Sequence, residues 1–242
     1  MERVQIPVGS LEKVKSYDFG QSREALTELS DAIRKQHGNA AELRKIEQTI
    51  VEVLESKSTY AGKQYVCREL SIIGTDVSVP ALSKMLVDAE LSDMARYALE
   101  RMPGDAVDKA LLEALAKTSG KTKIGIVNTL GERRCEKAVS VLGGLVADAD
   151  ETMAGAAISA LGKIGGTEAA KVLAQAKDKA SGKLRMQVLD AYLKCADQFV
   201  AKGQKAQALA IYKELYKDTE SQLVRTAAMR GMVGAAGEKP KQ

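Results

Sequence analysis

The sequence has little of what reactive centres and compact aromatic cores are built from. Its 242 residues include no Trp, two Phe, seven Tyr and one histidine, His37. A triad of nucleophile, histidine and acid needs an imidazole, so any such triad must contain His37. That residue falls in the predicted last turn of a helix beside Gly38, where a cation complements the helix dipole. We therefore predict a protein without catalytic residues, and not an enzyme.

Cysteine is also scarce. The chain has three cysteines, Cys67, Cys135 and Cys195, which are widely spaced and include no CxxC pair. An odd and widely spaced set argues against a disulfide framework and against a zinc site. We expect free, mostly buried thiols, no metal site and no cofactor.

Long apolar runs are absent as well. No apolar run approaches the length needed to cross a bilayer, and the first ten residues, MERVQIPVGS, lack the apolar core of a signal peptide. If Met1 is the natural start, we expect a cytoplasmic protein without a membrane span. A leader removed before residue 1 is the alternative.

What the sequence does contain is a repeated pattern of short amphipathic helices. In residues 149–178, Asp150 is a predicted helix cap, Gly165-Gly166 ends that helix and Thr167 is predicted to cap the next one. The predicted apolar positions are Met153, Ala156, Ala157, Ala160, Leu161 and Ile164, then Ala170, Leu173, Ala174 and Ala176. Each helix is too short to be stable alone, so the pair needs neighbouring pairs against which to bury its apolar face.

The same unit recurs about every 30 residues. Its second helix carries a large apolar residue near its end, and these residues are 29, 31 and 31 positions apart: Leu70, Leu99, Leu130 and Leu161. The segment Leu70-x-x-Ile73-Gly74 also corresponds to Leu161-x-x-Ile164-Gly165. Over roughly residues 40–237 the chain resembles the HEAT-repeat superfamily, specifically the short bacterial HEAT-like repeats of the bilin-lyase type.

This resemblance implies an all-α fold, a right-handed α-α superhelix or HEAT-like solenoid of about six to seven helical pairs. We predict an N-terminal capping segment over residues 1–21, with an extended stretch at Val4, Ile6 and Val8, and HEAT-like repeats over residues 22–180. Longer helical repeats should follow over residues 181–237, including a hairpin similar to a tetratricopeptide repeat, and residues 238–242 form a polar tail.

Two motifs with apparent chemistry are better explained as helix ends. Gly120-Lys121-Thr122 is the ending of a phosphate-binding loop, but Leu115 occupies the required upstream glycine position and no strand precedes it. We interpret the motif as a helix start. Asp148 and Asp150 could form an acid/base or metal pair, but they flank a predicted turn, where aspartate usually caps a helix.

The second helices supply the candidate binding surface, because in HEAT-like arrays they line the concave side. With the repeated leucines pointing inward, we expect two sets of residues to face outward. Residues two positions before each leucine are Arg68, Tyr97, Asn128 and Ser159, and those three positions before are Cys67, Arg96, Val127 and Ile158. The candidate interaction surface is Lys63, Arg68, Arg96, Tyr97, Lys123 and Asn128, centred on the adjacent Arg96 and Tyr97.

The net charge of +4 conceals an asymmetry between the two halves of the chain. Residues 1–116 carry 15 Lys or Arg against 19 Asp or Glu, whereas residues 117–242 carry 21 against 13. A basic half can attract phosphates or acidic proteins, although lysines on the outward faces of Ala-rich helices also serve simply as solubilising groups.

Three functions are compatible with these features. The first is a non-catalytic repeat scaffold that binds another protein or a peptide on its concave surface. The second is nucleic-acid or phosphate binding through the basic C-terminal half, which requires strong salt dependence. The third is implied only by the resemblance: a bilin-lyase-like enzyme subunit that acts on a tetrapyrrole, although no neighbouring base or cation marks any cysteine as reactive.

Overall fold

A computed structural model describes residues 8–218 and 221–237, and over these residues the chain is all-α without a β-strand. The described ranges contain fourteen α-helices, which confirms the predicted all-α repeat fold. Its superhelical handedness stays a prediction. The helices are α1 Val8–Ser16, α2 Glu24–Lys35, α3 Ala40–Glu55, α4 Tyr60–Ile73, α5 Val79–Leu86, α6 Ser92–Arg101, α7 Asp105–Lys117, α8 Gly120–Glu132, α9 Val139–Leu145, α10 Glu151–Ile164, α11 Gly166–Lys179, α12 Gly182–Ala201, α13 Lys205–Asp218 and α14 Gln222–Gly237.

The chain divides into two compact units, Met1–Ile126 and Val127–Gln242, with the boundary inside α8. In the first unit α3 packs against α4 and α5, α5 packs against α6 and α7, and α4 packs against α6. In the second unit α9 packs against α10 and α11, and both of these pack against α12. The apolar stripes of consecutive pairs therefore cover one another, as short helices require.

Polar side chains begin several of the helices. The side chain of Asn39 accepts a hydrogen bond from the Glu42 N–H at 3.3 Å, and that of Thr59 accepts one from the Gly62 N–H at 3.0 Å. Asp150 accepts one from Thr152, as its sequence position predicts. These bonds satisfy amide groups that have no partner within the first turn.

The predicted cap at Thr167 is wrong. Helix α11 begins at Gly166, with Gly165 as its N-cap residue, so Thr167 already lies within the first turn. The two glycines have φ values of 65° and 78° and turn the chain directly from α10 into α11. Because glycine adopts these angles without strain, no linker residue remains to act as a side-chain cap.

The apolar seam follows the predicted period. Leu70, Leu99, Leu130 and Leu161 are all fully buried. Alanines fill much of the remaining core, and they allow neighbouring helices to approach closely. The core of each unit is therefore largely aliphatic, as the scarcity of aromatic residues indicates.

Glu47 is a charged residue inside the first unit. Its carboxylate on α3 accepts hydrogen bonds from the Thr75 N–H at 2.7 Å, the Thr75 hydroxyl at 2.8 Å and the Ser78 N–H at 3.2 Å. The hydroxyl of Ser78 donates a fourth bond to it. Ser78 is the N-cap residue of α5, so the carboxylate ties α3 to the positive end of the α5 dipole.

Replacing Glu47 by alanine is predicted to lower the free energy of unfolding by about 2 to 4 kcal/mol, because the donors of Thr75 and Ser78 lose their buried acceptor. Glu52→Ala, at an exposed position of the same helix, is the matched control and should change it by less than about 0.5 kcal/mol. Urea unfolding of the full chain measures both. Equal midpoints for the two variants would contradict this role of Glu47.

Candidate functional site

A groove in the first unit collects most of the aromatic residues of the chain. It has a volume of about 610 Å³. The chain has nine aromatic residues, seven Tyr and two Phe. Five of them line the groove: Tyr17, Phe19, Tyr60, Tyr65 and Tyr97. Such a concentration within a chain that is 4% aromatic makes this groove the leading candidate site.

The groove lies on the outward face of the second helices α4 and α6. Tyr60, Gln64 and Arg68 are four residues apart on α4 and so share one helical face. Asp93 and Tyr97 have the same spacing on α6. The steps from Gln64 to Asp93 and from Arg68 to Tyr97 are both 29 residues, the repeat step from Leu70 to Leu99, so corresponding positions of two repeats meet in one groove.

The loop between α1 and α2 forms a further wall, and it is held there by the docking of α1 on α4. The Thr59 N–H donates to the Lys15 carbonyl at 3.0 Å, and the Thr59 hydroxyl donates to the Tyr17 carbonyl. A β-carbon on Gly62 would lie 2.4 Å from the Val14 carbonyl oxygen, so this approach requires glycine. The contact places Tyr17 and Phe19 at the groove.

The N-terminal segment differs in part from its prediction. Val8 is the first residue of α1, so the extended stretch predicted for it is wrong, and Val4 and Ile6 lie outside the described residues. Leu11 and Val14 lie on the same face of α1 and are both buried, and the burial of this face stabilises the helix. This helix packs against α2, α3 and α4; the predicted segment limits themselves stay a prediction.

Tyr65 forms a fixed part of the groove lining. Its hydroxyl donates to the Leu26 carbonyl, and the neighbouring Ser30 hydroxyl donates to Glu69 at 2.9 Å. Burial raises the pKa of Tyr65 above its ordinary value, so the phenol stays protonated at neutral pH. This network joins α2 to α4 and makes the lining rigid.

Three rings of the groove are open to solvent. Phe19, Tyr60 and Tyr97 are 63%, 45% and 44% exposed. The Arg101 guanidinium lies 4.1 Å from the centroid of the Tyr97 ring and donates to the Tyr97 carbonyl at 3.0 Å. This cation–π contact orients Tyr97 while leaving much of its surface available to a partner.

Two arginines of the groove carry unneutralised charge. Arg23 and Arg68 are exposed, and within residues 8–218 and 221–237 neither guanidinium has an ion pair or a hydrogen bond. Asp93, the carboxylate in the lining, pairs with Arg96 at 2.6 Å. The groove therefore combines exposed aromatic surface with two available cations.

The structure brings together two of the six predicted surface residues, Arg68 and Tyr97. Arg96 turns away: its side chain is only 19% exposed, and it donates to the Gly125 carbonyl at 3.1 Å, which ties α6 to α8. Lys63 and Lys123 are half-buried outside the groove lining, and Asn128 is exposed in the second unit. The binding role predicted for these residues stays a prediction.

One of the two outward-facing sets was predicted wrongly. Arg68, Tyr97, Asn128 and Ser159, two positions before the leucines, are exposed as expected. Three positions before them, Cys67, Val127 and Ile158 are buried and Arg96 is only partly exposed. Three residues turn a helix by about 300°, which brings a side chain within about 60° of the leucine and onto the same buried face.

Several groove residues were missed by sequence reasoning. The repeat pattern does not single out Tyr17 and Phe19, because both precede residue 22, where the predicted repeats begin. Tyr60 lies eight residues before Arg68, so extending that helical face backward would have found it. A further signal was available in the distribution of the aromatics, because five of nine fall within the first hundred residues.

The corresponding helix face of the second unit has a different chemistry. A cavity of about 330 Å³ there is lined by charged residues that include Lys163 and Lys194. Lys163 pairs with Glu132 at 2.5 Å, and Lys194 pairs with Asp190 at 2.7 Å. These lysines are therefore largely neutralised by neighbouring carboxylates.

The motifs with apparent chemistry lie at helix ends. Helix α8 begins at Gly120 after α7, which confirms the helix-start interpretation of Gly120-Lys121-Thr122. Asp148 accepts a hydrogen bond from the Asp150 N–H at 2.9 Å. Within the described residues there is no group of three or more His, Cys, Asp or Glu that could hold a metal ion. No helix there is long and apolar enough to cross a membrane.

None of the three cysteines is part of a disulfide, and all three are buried, as predicted. Burial raises the pKa of Cys67 and that of Cys195 to about 12, from an ordinary value of 9.0. Cys67 lines the groove but is only 1% exposed. A protonated and shielded thiol is a poor nucleophile.

The buried leucines at a regular spacing and the succession of short helices define an all-α helical-repeat protein. Residues 109–192, from α7 into α12, match the family model for HEAT repeats, which confirms the predicted HEAT resemblance over this part of the chain. The finer assignments to bilin-lyase-type repeats and to a tetratricopeptide-like hairpin stay predictions. No curated protein matches the sequence.

Two solved structures are similar to the chain at low sequence identity. A structure of lipovitellin that concerns lipid–protein interactions has a TM-score of 0.60 and 12% identity, and the match covers 97% of this chain and 28% of the lipovitellin chain. The chain thus spans just over a quarter of that protein's length. An engineered protein has 19% identity and a TM-score of 0.44, with 94% of this chain and 72% of that one covered. The similarity to lipovitellin shows the fold alone.

The native protein should resist a thiol reagent at pH 8. With a pKa of about 12, the thiolate fraction of Cys67 and Cys195 is about a thousandfold lower than at the ordinary pKa, and burial slows access further. We expect the native rate to be below about one hundredth of the rate in denaturant, where all three thiols react. A cysteine that reacts as fast in the native chain as in the unfolded chain would contradict this and favour the lyase-like alternative.

Proposed function

We propose that the chain is a non-catalytic repeat scaffold that binds a peptide, or an extended segment of another protein, in the aromatic groove of its first unit. The observation that carries this proposal is the gathering of five of nine aromatic residues in one groove. In the second unit, Tyr192, Phe199 and Tyr212 are buried core residues, whereas Phe19, Tyr60 and Tyr97 of the groove are exposed. Exposed rings at one place are better explained by recognition.

The exposed rings suit a protein partner in particular. Tyrosine and arginine are enriched at the positions that contribute most to protein interfaces. A tyrosine ring presents a large contact area at low conformational cost, and Tyr97 is already oriented by Arg101. Tyr65 and its hydrogen-bond network give the groove a rigid lining, which reduces the ordering cost of binding.

Catalysis is less well supported at this groove. Its one thiol, Cys67, is buried with a raised pKa, and His37 does not line it. The other polar lining residues are arginines, tyrosines, Gln64 and an aspartate that is already paired with Arg96. Such a set can bind and orient a partner, but it does not pair a nucleophile with a base.

Nucleic acid is also less well supported than peptide. Aromatic rings with arginine can stack on bases, but a nucleic-acid backbone also needs a basic path for its phosphates. Residues 1–116 instead carry more acidic than basic residues, 19 against 15. In the second unit, Lys163 and Lys194 are paired with carboxylates.

A random-sequence displayed peptide library, selected on the immobilised full chain, tests the proposal. Synthetic versions of the enriched peptides are then titrated by fluorescence anisotropy. Tyr97→Ala should weaken binding about tenfold or more, because it removes an exposed and oriented ring from the groove.

The chain provides a matched control for this experiment. Tyr216 in the second unit is 38% exposed and has the Arg225 guanidinium 5.3 Å from its ring centroid, the same type of contact that Tyr97 has with Arg101. Tyr216→Ala should leave peptide affinity unchanged. A selection without enriched peptides, or equal losses for the two tyrosine variants, would overturn the proposal.

A further inference from the structure

The charges of the groove narrow the class of partner. Four of the six arginines in the described part of the first unit have an ion pair, namely Arg34, Arg44, Arg96 and Arg101. Arg23 and Arg68 differ, because each is exposed at the groove without an ion pair or hydrogen bond in the described residues. They come from two helix pairs and face the same aromatic groove.

No carboxylate in the groove lining is left to neutralise these arginines. Asp93 is the acidic lining residue, and it pairs at 2.6 Å with Arg96 of the same helix, α6. The Arg101 guanidinium over Tyr97 adds positive charge on the same side. The site is therefore locally positive, although residues 1–116 as a whole have more acidic than basic residues.

We propose that the segment bound in this groove is acidic, with Asp or Glu side chains beside aromatic or aliphatic anchors. This inference rests on the proposed function and specifies its partner. A guanidinium presents a planar fork of donors that matches a carboxylate with two parallel hydrogen bonds. The neighbouring rings of Phe19, Tyr60 and Tyr97 would cover the anchors and partly shield these bonds from water.

An acidic peptide fits this charge pattern better than a polyanion does. Two available arginines match one or two carboxylates, whereas a nucleic-acid strand carries a phosphate at every nucleotide. The excess of acidic residues in the same part of the chain would repel the phosphates that extend beyond the groove. The same acidic residues would repel an acidic peptide everywhere except beside Arg23 and Arg68. They would therefore fix which residues of the peptide lie at these two arginines.

The test compares each groove-selected peptide with a version in which every Asp and Glu is replaced by Asn and Gln. Wild-type full chain should bind the acidic peptide about tenfold or more tightly than the neutral one. In the Arg23→Gln, Arg68→Gln double variant this preference should disappear. Arg68→Glu should bind the neutral peptide more tightly than the acidic one, and rising salt should weaken the wild-type complex.

Arg34→Gln is the matched control, because Arg34 is an exposed arginine of α2 that already pairs with Asp31. It should leave the preference for the acidic peptide intact. Circular dichroism of each variant checks that the helices are retained.

The outcomes separate this inference from the proposed function. If the enriched peptides are neutral or basic and their affinity depends on Tyr97, the proposal of an acidic partner is wrong. The proposal of peptide binding in the groove would still hold. A single-stranded oligonucleotide that binds more tightly than the acidic peptide, with dependence on Arg23 and Arg68, would also overturn it. A selection without any enriched peptide would overturn both.

Discussion

The docking of α1 on α4 is the contact that turns an ordinary helix face into a groove. Thr59 binds the carbonyls at the end of α1, and Gly62 lets the Val14 carbonyl come within a distance that a side chain would block. Without this contact, Tyr60 and Tyr97 would lie on an open surface. With it, Tyr17 and Phe19 close one side and create a concave aromatic site.

The position of a residue within the repeat determines the direction of its side chain, whereas the residue type at that position differs from one repeat to the next. Positions two residues before each buried leucine are exposed in four successive second helices, and they carry Arg68, Tyr97, Asn128 and Ser159. Burial of the leucines stabilises every pair in the same manner. The exposed positions are free of that constraint, so an arginine and a tyrosine can form a site in the first unit while the second has small polar residues there.

Much of the fold could be predicted from the sequence because helix pairing is a local property. Apolar spacing located the helices, and side chains such as Asn39, Thr59 and Asp150 lie at their starts. Thr167 failed as a cap because two glycines with positive φ made the turn without it. The residues three positions before each leucine were expected to face outward. They do not, because at that spacing a side chain lies on the same helix face as the buried leucine.

The candidate site was only partly predictable because it depends on tertiary contacts. Arg68 and Tyr97 could be found from the repeat register alone. The approach of Phe19 depends on how α1 packs against α4, and no local pattern in the sequence specifies that packing. The inward turn of Arg96 likewise depends on the Gly125 carbonyl of a different helix.

Amide hydrogen exchange of the full chain, with and without a peptide selected on it, tests the location of the site most directly. We predict slower amide exchange on peptide binding in the loop of residues 17–23 and in the first turns of α4 and α6. Protection confined to the second unit, with unchanged exchange in that loop, would contradict it.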